Sequence, residues 1–209
     1  MLVLDPTPLI VNPVIPVVTV ENVRDAVPIA NALLAGGLRV IEVTLRTPAA
    51  FDAIRAIVDG VPDVIVGAGT VLKPRDVTRA VDAGAEFLVT PGTPASLVQA
   101  LSDAPVPALP GCATVSEAMG LAAIGFSVLK FFPAEQSGGA RWLKSILEPL
   151  PHIRFCPTGG INGDNAAAYL ALPNVIAVGG SWIASAQAIA AGDFTGITAR
   201  AAAAAMLRS

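Results

Sequence analysis

The sequence predicts an α/β fold made as one (β/α)8 TIM barrel across residues 1–209, and three observations carry that prediction. Short apolar, β-branched runs recur along the chain, of the composition that suits strands buried on both faces. Each is followed by a turn and then by an Ala- and Leu-rich segment with helical spacing, the order of a βα unit. Such alternation with right-handed crossovers allows an open doubly wound sheet or a closed barrel, and a count of eight strands selects the barrel. A length of 209 residues fits one domain near the short end of that fold's range.

In chain order, strands are predicted over residues 14–20, 40–45, 64–70, 87–92, 106–112, 128–133, 154–159 and 175–181. Helices are predicted between them over 23–35, 48–59, 74–83, 94–101, 115–124, 140–147 and 164–172. Thr47-Pro48, Lys73-Pro74 and Thr93-Pro94 place proline at a first helical turn, where an amide hydrogen has no partner in any case. Thr114 with Glu117 three residues on has the form of a capping box. Gly36-Gly37, Gly60 and Gly84 are expected to end their helices as left-handed caps. The segment 184–209 reads as helical with a break at Gly192-Asp193, and either closes the barrel or serves a subunit contact.

Composition narrows the partners. Charged residues make up 14% and the formal net charge is -3, so there is no basic footprint for nucleic acid or an anionic membrane, and a small-molecule substrate is expected. Cys112 and Cys156 sit in apolar runs without CxxC spacing or a nearby histidine, which reads as two buried thiols and no metal site. The uncharged stretch 165–192 has the length of a membrane span, but Pro173, Asn174, Gly179 and Gly180 divide it. The first residues are apolar but lack a basic flank and are interrupted by Asp5, Pro6, Pro8, Asn12 and Pro13, against a signal peptide; cytoplasmic residence is expected.

Active sites of such barrels lie at the C-terminal strand ends, so polar residues there are the informative ones. Lys130 stands out. The chain has only three lysines, and this one interrupts the apolar run 126–132, where an unpaired ammonium is costly. An apolar setting favours the neutral amine, the form that attacks a ketone. A second reading pairs Lys130 with Glu42 as a stabilising ion pair only. Glu42, Thr44 and Arg46 share one face of a strand by alternation, giving a proton carrier and a guanidinium fork for a carboxylate, or simply a salt bridge at a strand end. Gly159-Gly160 and Gly180-Ser181 follow strands seven and eight, where barrels commonly bind phosphate on unobstructed amides. His152, the one histidine, precedes strand seven at the opposite end and is given no catalytic role.

The runs 41–47, 66–70, 90–92, 109–111, 130–135, 155–160 and 179–182 together resemble the 2-keto-3-deoxy-6-phosphogluconate (KDPG) and 4-hydroxy-2-oxoglutarate (KHG) aldolase family over nearly the whole chain. The resemblance implies a homotrimeric class I aldolase that needs no metal or other cofactor and releases pyruvate and glyceraldehyde 3-phosphate. It makes Lys130 the Schiff-base lysine and Glu42 the general acid and base. It assigns Arg46, Thr70 and Pro91 to the pyruvyl end, Phe132 and Thr158 to the pocket wall, and Gly159, Gly160, Gly180 and Ser181 to the phosphate. Many relatives carry Arg at the end of the first strand, where this chain has Thr19, which places more of the carboxylate binding on Arg46. The galactonate epimer, another phosphate-binding barrel enzyme of the thiamine-phosphate or tryptophan-pathway type, and a non-catalytic sugar-phosphate binder are the alternatives.

Overall fold

The structure is a computed structural model that describes residues 3–207. Its strands are β1 (Val14–Val18), β2 (Val40–Thr44), β3 (Ile65–Gly69), β4 (Phe87–Val89), β5 (Ala108–Leu109), β6 (Gly111–Cys112), β7 (Val128–Phe131), β8 (Arg154–Pro157) and β9 (Val178–Gly180). Its helices are α1 (Ala26–Ala35), α2 (Ala50–Gly60), α3 (Pro74–Asp82), α4 (Ala95–Ser102), α5 (Val115–Ile124), α6 (Gly139–Ser145), α7 (Ala166–Leu170), α8 (Ala186–Ala190) and α9 (Phe194–Ala205). Every paired strand is parallel, which the intervening helices require.

The expected single ring of eight strands is recorded as two parallel ladders, in the order β5-β4-β3-β2-β1-β9 and β6-β7-β8. The predicted fifth strand is divided at Pro110, which has no amide hydrogen to donate to a ladder. Between β8 and the run leading into β9 the pairing is reduced to two isolated bridges, Phe155 with Val175 and Thr158 with Gly179. The predicted eighth strand, 175–181, accordingly shortens to β9.

Local chemistry explains most element ends. At α5 the Thr114 hydroxyl accepts from Glu117 N at 3.3 Å, while the Glu117 carboxylate accepts from the Ala113 and Thr114 amides at 2.8 and 2.9 Å. Pro74 opens α3 as expected, whereas Pro94 is the N-cap of α4 and Pro48 precedes α2 by a turn. Gly37 and Gly84 take φ of 86° and 92°, but Gly60 is simply the last residue of α2; it does not adopt the left-handed cap expected of it.

Two apolar layers hold the fold together. The larger lies between strands and helices. The smaller lines the concave side of the curled sheet, where Ile15, Val40, Phe87, Leu109 and Val128 meet, packed from below by Leu9 and Ile10. The Phe87 ring occupies the space beside Gly67, where a Cβ would overlap it; full burial of such a ring stabilises by about 2–3 kcal/mol. The 184–209 segment is helical with the expected break, and its last two residues lie outside the described residues. It turns back onto α1: Thr198 Oγ1 donates to Ala32 O at 3.0 Å, and a side chain at Gly36 would overlap Ala201. Among the described residues no helix is long and apolar enough to cross a membrane.

Candidate active site

Lys130 sits on β7 and Glu42 on β2, in different ladders and 88 residues apart, yet Lys130 Nζ donates to Glu42 Oε1 at 3.2 Å. Only the curl of the sheets makes that contact. The two side chains are 6% and 4% exposed. An ion pair taken that far out of water gains little net stability, because desolvation offsets most of the attraction. The pairing foreseen in the second sequence reading is therefore present, and its burial asks for a use other than stability.

Neighbouring residues shape the pair. Glu42 leans across β3, and a Cβ on Gly69 would overlap its carboxylate. The Phe132 ring lies 5.5 Å from Lys130 Nζ, just past the end of β7, before a cis Phe132–Pro133 bond. Register places Lys130 beside Gly111 on one side and Cys156 on the other, so the thiol shares the lysine's face of the sheet. Burial pushes the Cys156 thiol up to about 12, with the Glu42 charge adding to it and Lys130 and Thr158 opposing. Both cysteines are free thiols and buried, as the sequence suggested. The proximity of Cys156 to Lys130 is not legible in either strand alone; it follows from the register of β7 against β8.

The remaining residues fall around the same strand ends. Thr158 is buried in space left by Gly179, and its hydroxyl has no hydrogen-bond partner of ordinary geometry. Thr70 follows β3 with φ of 59°, a conformation that a β-branched residue adopts only when its surroundings force it, at a cost of about 1–3 kcal/mol. Pro91 follows β4 with its backbone against Gly111, held there by Thr90, whose hydroxyl accepts from Gly111 N at 2.8 Å. Thr19 and Thr44 share a hydrogen bond at 2.9 Å across β1 and β2.

β2 ends at Thr44, so Arg46 lies in the turn beyond it and is exposed, and strand alternation alone does not set its direction. Among the described residues it forms no ion pair, and Glu42 is paired with Lys130 instead of Arg46. A free guanidinium on the rim still suits an incoming carboxylate.

Gly159 and Gly160 follow β8 with φ of 102° and 76°, and Gly180 and Ser181 end and follow β9. Among the described residues nothing accepts from the Gly160 or Ser181 amides, which leaves two N–H groups for an anion, while the Thr158–Gly179 bridge directs the Gly159 amide toward Gly179 O. His152 is exposed before β8, away from these strand ends. Among the described residues no group of three or more His, Cys, Asp or Glu side chains is arranged to hold a metal ion.

A buried amine and carboxylate at the strand ends of a parallel α/β fold define an enzyme acting on a small molecule. A profile of the KDPG and KHG aldolase family matches residues 8–200, and the chain belongs to that family, whose members are lyases. The KHG/KDPG aldolase of Escherichia coli K12 is 50% identical over 190 residues, covering 91% of this chain and 89% of that protein. The KDPG aldolase of Legionella pneumophila, solved with pyruvate captured as a covalent carbinolamine, superposes with a TM-score of 0.94 at 43% identity, covering 97% of this chain and 98% of that one. A solved 4-hydroxy-2-oxoglutarate/KDPG aldolase gives a TM-score of 0.88 at 37% identity, covering 99% and 100%.

Proposed function

We propose that the protein is a class I aldolase that cleaves 2-keto-3-deoxy-6-phosphogluconate to pyruvate and glyceraldehyde 3-phosphate, and that it also accepts 4-hydroxy-2-oxoglutarate. The observation that carries this reading is the buried 3.2 Å contact between Lys130 and Glu42. The Lys130 amine adds to the C2 ketone, and loss of the carbonyl oxygen as water gives a protonated imine. Glu42 removes the C4 hydroxyl proton. The C3–C4 bond breaks, its electrons pass to the iminium nitrogen as an enamine forms, and the aldehyde leaves. Glu42, now an acid, returns the proton to C3, and water hydrolyses the imine to free pyruvate and the amine.

The other residues have matching parts in this proposal. Arg46, Thr70 and Pro91 take the pyruvyl carboxylate end, and Phe132 and Thr158 line the wall. Gly159, Gly160, Gly180 and Ser181 hold the phosphate, an assignment supported by the unused amides. The pyruvate captured as a covalent carbinolamine in the Legionella relative supports amine addition to the ketone as the first step. We further read residues 1–209 as one domain whose ladders are a single closed eight-stranded barrel. The Phe155–Val175 and Thr158–Gly179 bridges and the shared inner apolar cluster support closure. The family resemblance supports a homotrimer, and two unpaired buried thiols support a reducing cytoplasm.

Pyruvate release is followed with lactate dehydrogenase on the gluconate and galactonate phosphorylated substrates and on 4-hydroxy-2-oxoglutarate. Wild type turns over the gluconate compound, while Glu42→Gln loses about a hundredfold or more in kcat yet still forms the imine with pyruvate. Binding of the sugar phosphate without pyruvate release overturns the aldolase reading. Equal loss of imine formation and cleavage in Glu42→Gln assigns Glu42 a structural role only.

A further inference from the structure

The loop after β7 and the loop after β8, which carries half of the anion cup, are tied together by backbone bonds: Ala134 N donates to Thr158 O at 2.8 Å and Glu135 N to Gly159 O at 3.1 Å. The side chain of Glu135 completes the junction. A Cβ on Gly160 would lie 2.6 Å from Glu135 Cγ and 2.7 Å from its Cβ, so the Glu135 stem occupies the space that the glycine leaves. The Glu135 carboxylate, through Oε1, accepts a hydrogen bond from the hydroxyl of Tyr169, which is 1% exposed on α7. A third strut comes from Asn165, whose Nδ2 donates to Gly160 O at 3.1 Å.

We propose that Glu135 and Tyr169 form a latch that fixes the Gly159-Gly160 turn in its anion-binding shape, making Glu135 a positioning residue for the phosphate end of the substrate and so for selectivity toward phosphorylated substrates. Both glycines hold positive φ, and the Gly160 amide points usefully only while that turn is held. The latch also directs the Glu135 charge: with its oxygen engaged by the phenol, the carboxylate is turned onto α7. Burial, reinforced by the Glu135 carboxylate, raises the Tyr169 phenol above its ordinary value, so it stays a donor at neutral pH. Lys130 and Glu42 take no part in these contacts, and the latch acts on one end of the substrate alone.

The inference rests on the aldolase reading, and its test is arranged so that the two fail separately. KM and kcat are measured for the phosphorylated 2-keto-3-deoxy acid and for the non-phosphorylated 4-hydroxy-2-oxoglutarate in wild type, Glu135→Ala, Glu135→Gln and Tyr169→Phe. Inorganic phosphate binding is measured in parallel by calorimetry. Glu135→Ala raises KM for the phosphorylated substrate and weakens phosphate binding by about tenfold, as loss of the hydrogen-bond acceptor warrants, with the non-phosphorylated substrate within twofold of wild type. Tyr169→Phe moves the same quantities in the same direction. Glu135→Gln, which still accepts from the phenol, stays within twofold of wild type on both substrates. Equal KM changes on the two substrates, an unaltered phosphate affinity in Glu135→Ala, or a Glu135→Gln as impaired as Glu135→Ala overturns the latch. If wild type binds phosphate but releases no pyruvate, the aldolase reading fails, and the calorimetric comparison still decides whether the latch shapes the cup.

Discussion

Lys130 and Cys156 stand side by side in register on neighbouring strands, and one apolar setting acts on both. A thiol reacts as its thiolate, so a Cys156 held up at about 12 is inert in the folded enzyme, as is Cys112, also raised to about 12 by burial and then by Glu117. Wild type therefore resists alkylation by a thiol reagent at pH 8 until it is unfolded; labelling of the native protein at the rate of the denatured chain contradicts this. The same shifts set a pH dependence. Folded-state values lie above the unfolded value of 9.0, so the thiols' contribution is fully present below pH 9 and lost as pH rises toward 12. Urea midpoints are accordingly lower at pH 10.5 than at pH 8. Residue by residue, the sequence disclosed those side chains whose type clashes with their surroundings. Lys130 is legible because an ammonium interrupts an apolar strand, and Glu42 because alternation turns it inward. Arg46 is less legible, because it lies two residues past the end of β2, where alternation no longer fixes a side chain's direction. The nearness of Cys156 to Lys130 depends on register between strands, which one strand's pattern does not contain.

Element boundaries follow short-range chemistry where that chemistry is complete. The Thr114–Glu117 box was readable at sight because both partners lie within four residues and satisfy each other. Thr114→Ala removes the side-chain acceptor of the Glu117 amide and lowers stability by about 1 kcal/mol in urea unfolding, with activity unchanged. No loss would mean that tertiary packing alone fixes the start of α5. Glu117 is held below the usual carboxylate range, first by the Ala113 amide and then by Thr114, so this cap is present at neutral pH and weakens as pH falls through the acid range. Strand ends were less legible. Pro110 falls inside a run that reads as one strand, and its missing hydrogen divides the ladder there. The eighth run shortens to Val178–Gly180 because its first residues meet β8 only at isolated bridges.

At the scale of the whole molecule, the α/β class and the strict alternation of elements were plain from hydrophobic periodicity, while closure and assembly depend on contacts between distant segments. The C-terminal helix shows the difference: its helical character and its break were visible, but its seat on α1 emerges only from Thr198 reaching Ala32 and from the lack of a side chain at Gly36. The proposed homotrimer predicts a sedimentation mass three times 21.1 kDa, and a monomer at working concentration contradicts it. In the proposed mechanism the curl of the sheets brings one amine, Lys130, against one carboxylate, Glu42, and that amine forms the imine. Its most direct test is to incubate the enzyme with pyruvate and borohydride and to map the modified peptide by mass. A single reduced pyruvyl group on Lys130 and none in Lys130→Ala is expected; an adduct on Lys73 or Lys144, or no adduct at all, contradicts imine formation at Lys130.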